Sequence, residues 1–85
     1  MLFRSVDGLK IMAVNASTEV SETGDLLCKE GADIAVIFYR NNKEWIIGLR
    51  TQNPNIDVSQ LAKAYGGGGH KQASGFTASR LPFEA

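Results

Sequence analysis

Residues 32–50, ADIAVIFYRNNKEWIIGLR, decide the architecture. Ala32 to Tyr39 form a continuous apolar run rich in β-branched and aromatic residues, the pattern of a strand covered on both faces. Asn41, Asn42 and Lys43 supply a tight turn, and residues 44–50 return as an antiparallel partner. A β-hairpin therefore stands at the centre, and the flanking segments have to cover it.

Upstream, Leu9 to Val14 mixes alternation with an apolar run and reads as a strand ended by Asn15. Ser17 or Thr18 then caps a helix running to about Lys29, with Glu19 and Glu22 near its positive end and Val20, Gly24, Leu27 and Cys28 on one face. Gly24 within that face predicts close approach of a neighbouring backbone, and Gly31 is placed as a C-cap. Downstream, a polar loop containing Pro54 leads to Asp57, which caps a second helix with Gln60 as its capping-box partner. Val58, Leu61, Ala62 and Tyr65 make the buried stripe of that helix, and Gly66 ends it. Residues 72–79, QASGFTAS, read as a last strand in which Gly75 leaves room for a neighbour, and Pro82 marks the end of regular structure. The order strand, helix, strand, strand, helix, strand predicts an α/β fold, a two-layer sandwich with a mixed β-sheet and helices packed on it.

The chain has 85 residues, 44% of them hydrophobic, enough for one compact core and too few for two. Its formal net charge is zero, which argues against a protein that grips long duplexes by charge alone. The balance is uneven: residues 1–49 carry five basic side chains against seven acidic ones, and residues 50–80 carry four against one. Cys28 is the single cysteine, so neither a disulfide framework nor a zinc-ligand cluster is available; it reads as a small buried hydrophobe in a reducing compartment. No apolar stretch approaches the roughly 20 residues that cross a bilayer, and the N-terminus, with Asp7 close behind Arg4, lacks a secretion pattern. The expectation is a soluble, cytoplasmic protein without a membrane partner.

The basic surplus travels with residues 64–76, AYGGGGHKQASGF. Each glycine there gives up roughly 0.5–1 kcal/mol relative to alanine in regular structure, a cost that has to be offset. A flexible connection is the plain explanation, but the run is bracketed tightly by a helix and a strand. Backbone N–H groups in such a loop can converge on an anion, because no Cβ shields them, and His70 and Lys71 follow at once. A nucleoside-triphosphate loop is rejected: Gln72 follows Lys71 where Ser or Thr is needed, and a helix leads in rather than a strand. The dinucleotide fingerprint fails too, since it opens the first helix after a strand. As the only histidine, His70 has no cluster with which to hold a metal, and reads instead as a hydrogen-bond donor beside the anion. Arg50, at a strand end, can fork onto the same phosphate or carboxylate if that end faces the loop.

Residues 47–76, IGLRTQNPNIDVSQLAKAYGGGGHKQASGF, closely resemble the C-terminal DHH-associated domain of the DHH-family phosphoesterases. The signature is a strand ending in arginine, a loop, a helix, and a Gly-Gly-Gly-His stretch leading into a small-small-Gly-Phe strand. Ser74 stands where the family often has alanine. The upstream order of elements suits that domain as well, so the likeness extends over nearly the whole chain, residues 1–85 forming a single substrate-binding domain. The family includes oligoribonucleases, single-strand exonucleases and cyclic-dinucleotide phosphodiesterases. The resemblance implies that Gly67, Gly68, Gly69 and His70 hold a substrate phosphate, supported by Arg50 from the neighbouring strand. It implies as partners a short oligonucleotide or dinucleotide and an N-terminal DHH domain of the same polypeptide, the latter holding two manganese ions. The Asp-His-His motif and its metal cluster are not among these 85 residues, so hydrolysis is expected to reside in a part of the polypeptide outside this chain.

Two rivals remain at this stage. One is an RNA-binding accessory domain like that of alanyl-tRNA synthetases, which predicts a steep salt dependence; the neutral charge and few stacking aromatics speak against it. The other is a packing module that binds nothing, which predicts a disordered loop.

Overall fold

The computed structural model describes residues 2–6, 8–18 and 20–80, with residues 2–6 and 21 through the backbone alone. The elements follow as β1 (Leu2–Val6), β2 (Leu9–Asn15), α1 (Val20–Lys29), β3 (Ile34–Asn41), β4 (Glu44–Arg50), α2 (Val58–Ala64), β5 (Gly68–His70) and β6 (Ala73–Ala78). All six strands join one sheet in the order β1-β2-β3-β4-β6-β5, with β2 and β3 parallel and the other pairs antiparallel. The expected hairpin is its centre: Asn41 pairs with Glu44, and Asn42 takes the positive φ of 59° that the tight turn requires. At its tip the Arg40 guanidinium sits 5.5 Å from the centre of the Trp45 ring.

Mixed pairing and packed helices are thus as expected, and each helix takes its own face, which adds a layer to the two anticipated. Ile34, Val36 and Phe38 of β3 point into a core with Ile47, Leu49, Phe76 and the α2 residues Val58 and Ala62. Ala35 and Ile37, alternating with them, point into a second core with Met12, Ala32 and the α1 residue Leu27. The continuous apolar run of β3 is the sequence correlate: a strand alternates only when one of its faces meets water.

Two strands lie outside the expected set. β1 forms a hairpin with β2 through Gly8, whose φ is 79°, and β5 arises within the glycine run itself. Glycine-rich and short, β5 carries no periodic apolar signal. The buried stripe of α2 also needs correction. Val58, Ser59 and Ala62 are buried, whereas Leu61 is 43% and Tyr65 52% exposed. Tyr65 lies beyond the last helical turn and stacks on Phe76, ring centres 4.7 Å apart, so its contact is with one aromatic face rather than with the core.

The caps fit the sequence more closely. The Asp57 side chain accepts from the Ser59 N–H at 3.0 Å and also from the Ser59 hydroxyl, as expected of a cap, while the bond that ties Gln60 to it is a backbone one, N–H to the Asp57 carbonyl at 3.3 Å, rather than the side-chain bond of the expected capping box. At the end of α1, Gly31, with φ 111°, donates to the Cys28 carbonyl and Ala32 to the Leu27 carbonyl, both at 3.1 Å, which closes the helix as a Schellman turn. Glu19 and Pro82 lie outside the described residues. Among the described residues no helix is long and apolar enough to cross a membrane.

Candidate phosphate site at the sheet edge

The four glycines of the run are not equivalent. Gly66, at φ 88°, donates to the Lys63 carbonyl at 3.1 Å, and Gly67 to the Ala62 carbonyl at 2.8 Å, so both amides complete the C-terminal Schellman turn of α2. Gly67 also lies directly against β6, where a Cβ would collide with the Gly75 carbonyl oxygen and Phe76. Gly69, at φ 143°, would bring a Cβ to 2.7 Å from the Ala73 oxygen and the Ser74 Cα. Gly68 differs from all three: its φ is ordinary, and a Cβ there meets nothing within 4 Å. The amide cradle is therefore smaller than a four-glycine loop suggests. Opposite residues in an antiparallel ladder alternate between bonded and non-bonded pairs, so of the consecutive Gly68 and Gly69 one N–H turns to β6 and the other to the open sheet edge.

What β5 achieves is placement. Its pairs are Gly68 with Gly75, Gly69 with Ser74 and His70 with Ala73, and β4 pairs Gly48 with Gly75 and Arg50 with Ala73. Arg50, Ala73 and His70 therefore form one transverse row across three strands, and directly opposite residues share a face. With neighbouring strands about 4.8 Å apart, the Arg50 and His70 backbones stand about 10 Å from one another. The next row on the same face is Gly48, Gly75 and Gly68, which has no side chains. Among the described residues, α1 packs on β3 and β4 on this face and not on the two-strand edge of β6 and β5.

The two ends of the row are fixed differently. His70 precedes the turn Lys71–Gln72, which is pinned from both sides: Val58 N–H donates to the Lys71 carbonyl at 2.8 Å and Thr51 N–H to the Gln72 carbonyl at 3.1 Å. Ser74 Oγ donates to the His70 carbonyl at 2.5 Å. Arg50 runs its stem across Gly24 of α1, where a Cβ would lie 2.6 Å from Arg50 Cγ. Gly24 thus admits the arginine side chain rather than the neighbouring backbone expected from sequence.

Beside Arg50 opens a cleft of about 530 Å³ lined by Asp25, Arg50, Thr51, Gln52, Gln72 and Ala73. Of these, sequence reasoning picked out only Arg50. Asp25 follows the telling Gly24, and Gln72 lies two residues past His70, but neither position carries a motif of its own. Cys28 is half-buried, 4.0 Å through its sulfur from the Arg50 carbonyl, and burial pushes its thiol above the ordinary range. Among the described residues no group of three or more His, Cys, Asp or Glu can hold a metal ion, so these residues do not fit the pair of manganese ions that the resemblance implies for the polypeptide.

Comparison with known proteins identifies the domain and its fold. The family model of the DHHA1 domain matches residues 8–82. Oligoribonuclease NrnB of Bacillus subtilis is 40% identical over 62 residues, covering 73% of this chain and 16% of its own length, so the chain spans about a sixth of that relative. Among solved structures, an uncharacterized protein from Helicobacter pylori G27 superposes with a TM-score of 0.71 at 25% identity, covering 92% of this chain and 22% of the other. The C-Ala domain of Aquifex aeolicus alanyl-tRNA synthetase gives 0.75 at 12% identity, covering 96% of this chain and 86% of the other. A pGpG-specific phosphodiesterase from Vibrio cholerae, PggH, gives 0.55 at 12% identity, covering 88% and 29%.

Proposed function

From the premise that this chain belongs to the DHHA1 domain family, we propose that it is the substrate-binding domain of a DHH-family phosphodiesterase or exonuclease. It holds a phosphate of a short oligonucleotide or of a linear or cyclic dinucleotide. Arg50 contributes a guanidinium that forks onto phosphate oxygens, His70 a ring N–H from the far end of the row, and the outward amide of the glycine strand a third donor. The observation that carries this reading is the row Arg50–Ala73–His70, which spans the edge beside a strip of strand bare of side chains.

Chemistry in this reading belongs to an N-terminal DHH domain of the same polypeptide with two manganese ions, working in the cytoplasm. This domain contributes orientation: one phosphate held fast sets the position of the scissile bond. The oligoribonuclease relative and the phosphodiesterase neighbour act on substrates of this class, as their names state.

The test is a titration of this chain with the 5′-phosphorylated ribodinucleotide pApA. His70→Ala, at an exposed position, is expected to weaken binding about tenfold or more with an unchanged melting temperature, the effect of one lost hydrogen bond to a charged group. Unchanged affinity in that variant refutes the reading. The accessory-RNA alternative rests on a likeness of fold alone; it predicts that a folded tRNA outcompetes pApA and loses affinity steeply with salt.

A further inference from the structure

The cleft that receives Arg50 also holds a carboxylate. Asp25, exposed on α1, lines it together with Arg50, Thr51, Gln52, Gln72 and Ala73. The Arg50 stem lies against Gly24, and Arg50 and Asp25 line the same cleft, so a positive and a negative group share one space. A phosphate drawn to Arg50 is repelled by Asp25, so the carboxylate helps an anionic substrate either by orienting the arginine, which serves ribose and deoxyribose alike, or by accepting hydrogen bonds from the substrate itself, which does not. In a ribonucleotide the donors nearest the phosphates are the sugar hydroxyls, whereas the N–H groups of a base edge lie farther away. Thr51 is buried and its hydroxyl is spent inside the fold, donating to the Asp33 carbonyl and accepting from the Asn53 N–H, whereas Gln52 and Gln72 are exposed, neutral and able both to donate and to accept, which suits several bases equally.

We propose that Asp25 accepts a hydrogen bond from the 2′-hydroxyl of the nucleotide whose phosphate Arg50 and His70 hold, so that the cleft selects RNA over DNA. This rests on the phosphate reading above and adds the sugar to it. An acidic side chain on a ribose hydroxyl is a recurrent device in nucleotide sites, and the 2′-hydroxyl is the group by which a protein tells the two nucleic acids apart.

The experiment compares pApA with its 2′-deoxy counterpart on this chain by amide chemical-shift titration. The wild type is expected to bind the ribose form about tenfold to a hundredfold more tightly, as one hydrogen bond to a charged acceptor provides. Asp25→Ala, a helix-compatible change at an exposed site, abolishes the difference by weakening the ribose form alone; the deoxy form holds or tightens as a negative charge leaves. Equal affinities in the wild type overturn the proposal, as does an Asp25→Ala variant that weakens both forms alike. A guanine-over-adenine preference lost with Asp25 in both sugars assigns the carboxylate to the base and overturns it as well. If both forms bind equally and His70→Ala weakens both, the phosphate reading stands and the sugar reading falls. If neither form binds, both fall.

Discussion

Alanine at Gly68 and alanine at Gly69 separate a glycine kept for a ligand from one kept for the fold. At Gly69 a side chain faces two immovable backbone atoms at 2.7 Å and a φ of 143°. Strain in such a backbone region costs about 1–3 kcal/mol, and the collision adds to it. Against a total of about 4–13 kcal/mol for a domain of this size, a loss of about 2–4 is severe. At roughly 4–8 °C per kcal/mol, the Gly69→Ala melting temperature falls by about 10 °C or more. Gly68→Ala meets open space at an ordinary φ, and removing a glycine from a strand gains about 0.5–1 kcal/mol, so its melting temperature holds or rises by a few degrees. Yet Gly68 shares its face with His70, two residues on, and with Arg50 two strands away. A Cβ there stands where the phosphate is proposed to lie, and pApA affinity is expected to drop at least about tenfold, the size of one lost charged hydrogen bond. Thermal melts by circular dichroism and a titration of each variant decide it. A Gly68→Ala protein that melts like the wild type and binds pApA equally well refutes the idea that this strand is bare for a ligand.

Two further outcomes follow from contacts in the same region. Gly24→Ala pushes on Arg50 Cγ and Cβ, which yield more readily than backbone, so the melting temperature moves by a few degrees at most because alanine also favours the helix by about 1 kcal/mol; pApA binding weakens severalfold as the guanidinium is displaced, read by the same titration. Asp57 is held below the usual carboxylate range, chiefly by the Ser59 hydroxyl, so its contribution to stability is fully present above its ordinary value of 3.8 and is lost as pH falls through the lower folded value. Urea melts of wild type and Asp57→Ala are expected to differ by a constant amount from pH 7 down to about pH 3.8 and to converge below it; a gap that persists undiminished well below that pH contradicts the assigned cause.

The central hairpin was legible because β3 is apolar on both faces and its turn residue, Asn42, is of the few types that tolerate a positive φ. The helix ends were legible for a related reason: Gly31 and Gly66 occupy positions that favour glycine whatever the surroundings. The side of the sheet taken by each helix was not, since periodicity reports that a helix has a buried face without saying which layer it meets. Tyr65 shows the limit within one residue. Its spacing matches the stripe of α2, but the helix has ended by then, and its stacking partner comes from a strand eleven residues later.

The candidate site divides along the same line. Arg50 and His70 could each be singled out by residue type and neighbourhood, but their common row depends on β6 standing between β4 and β5, a topological fact with no local trace. The glycines invert the usual inference from composition. Three of them are explained by the fold alone: Gly66 by its turn, Gly67 by its contact with β6 and Gly69 by both its φ and its neighbours. Only Gly68 is left without an internal reason, and it is the one that lies beside the row of donors on the same face of the sheet. The run as a whole is therefore weak support for an anion cradle, whereas a single glycine in open space is stronger support, because nothing among the described residues explains the missing side chain.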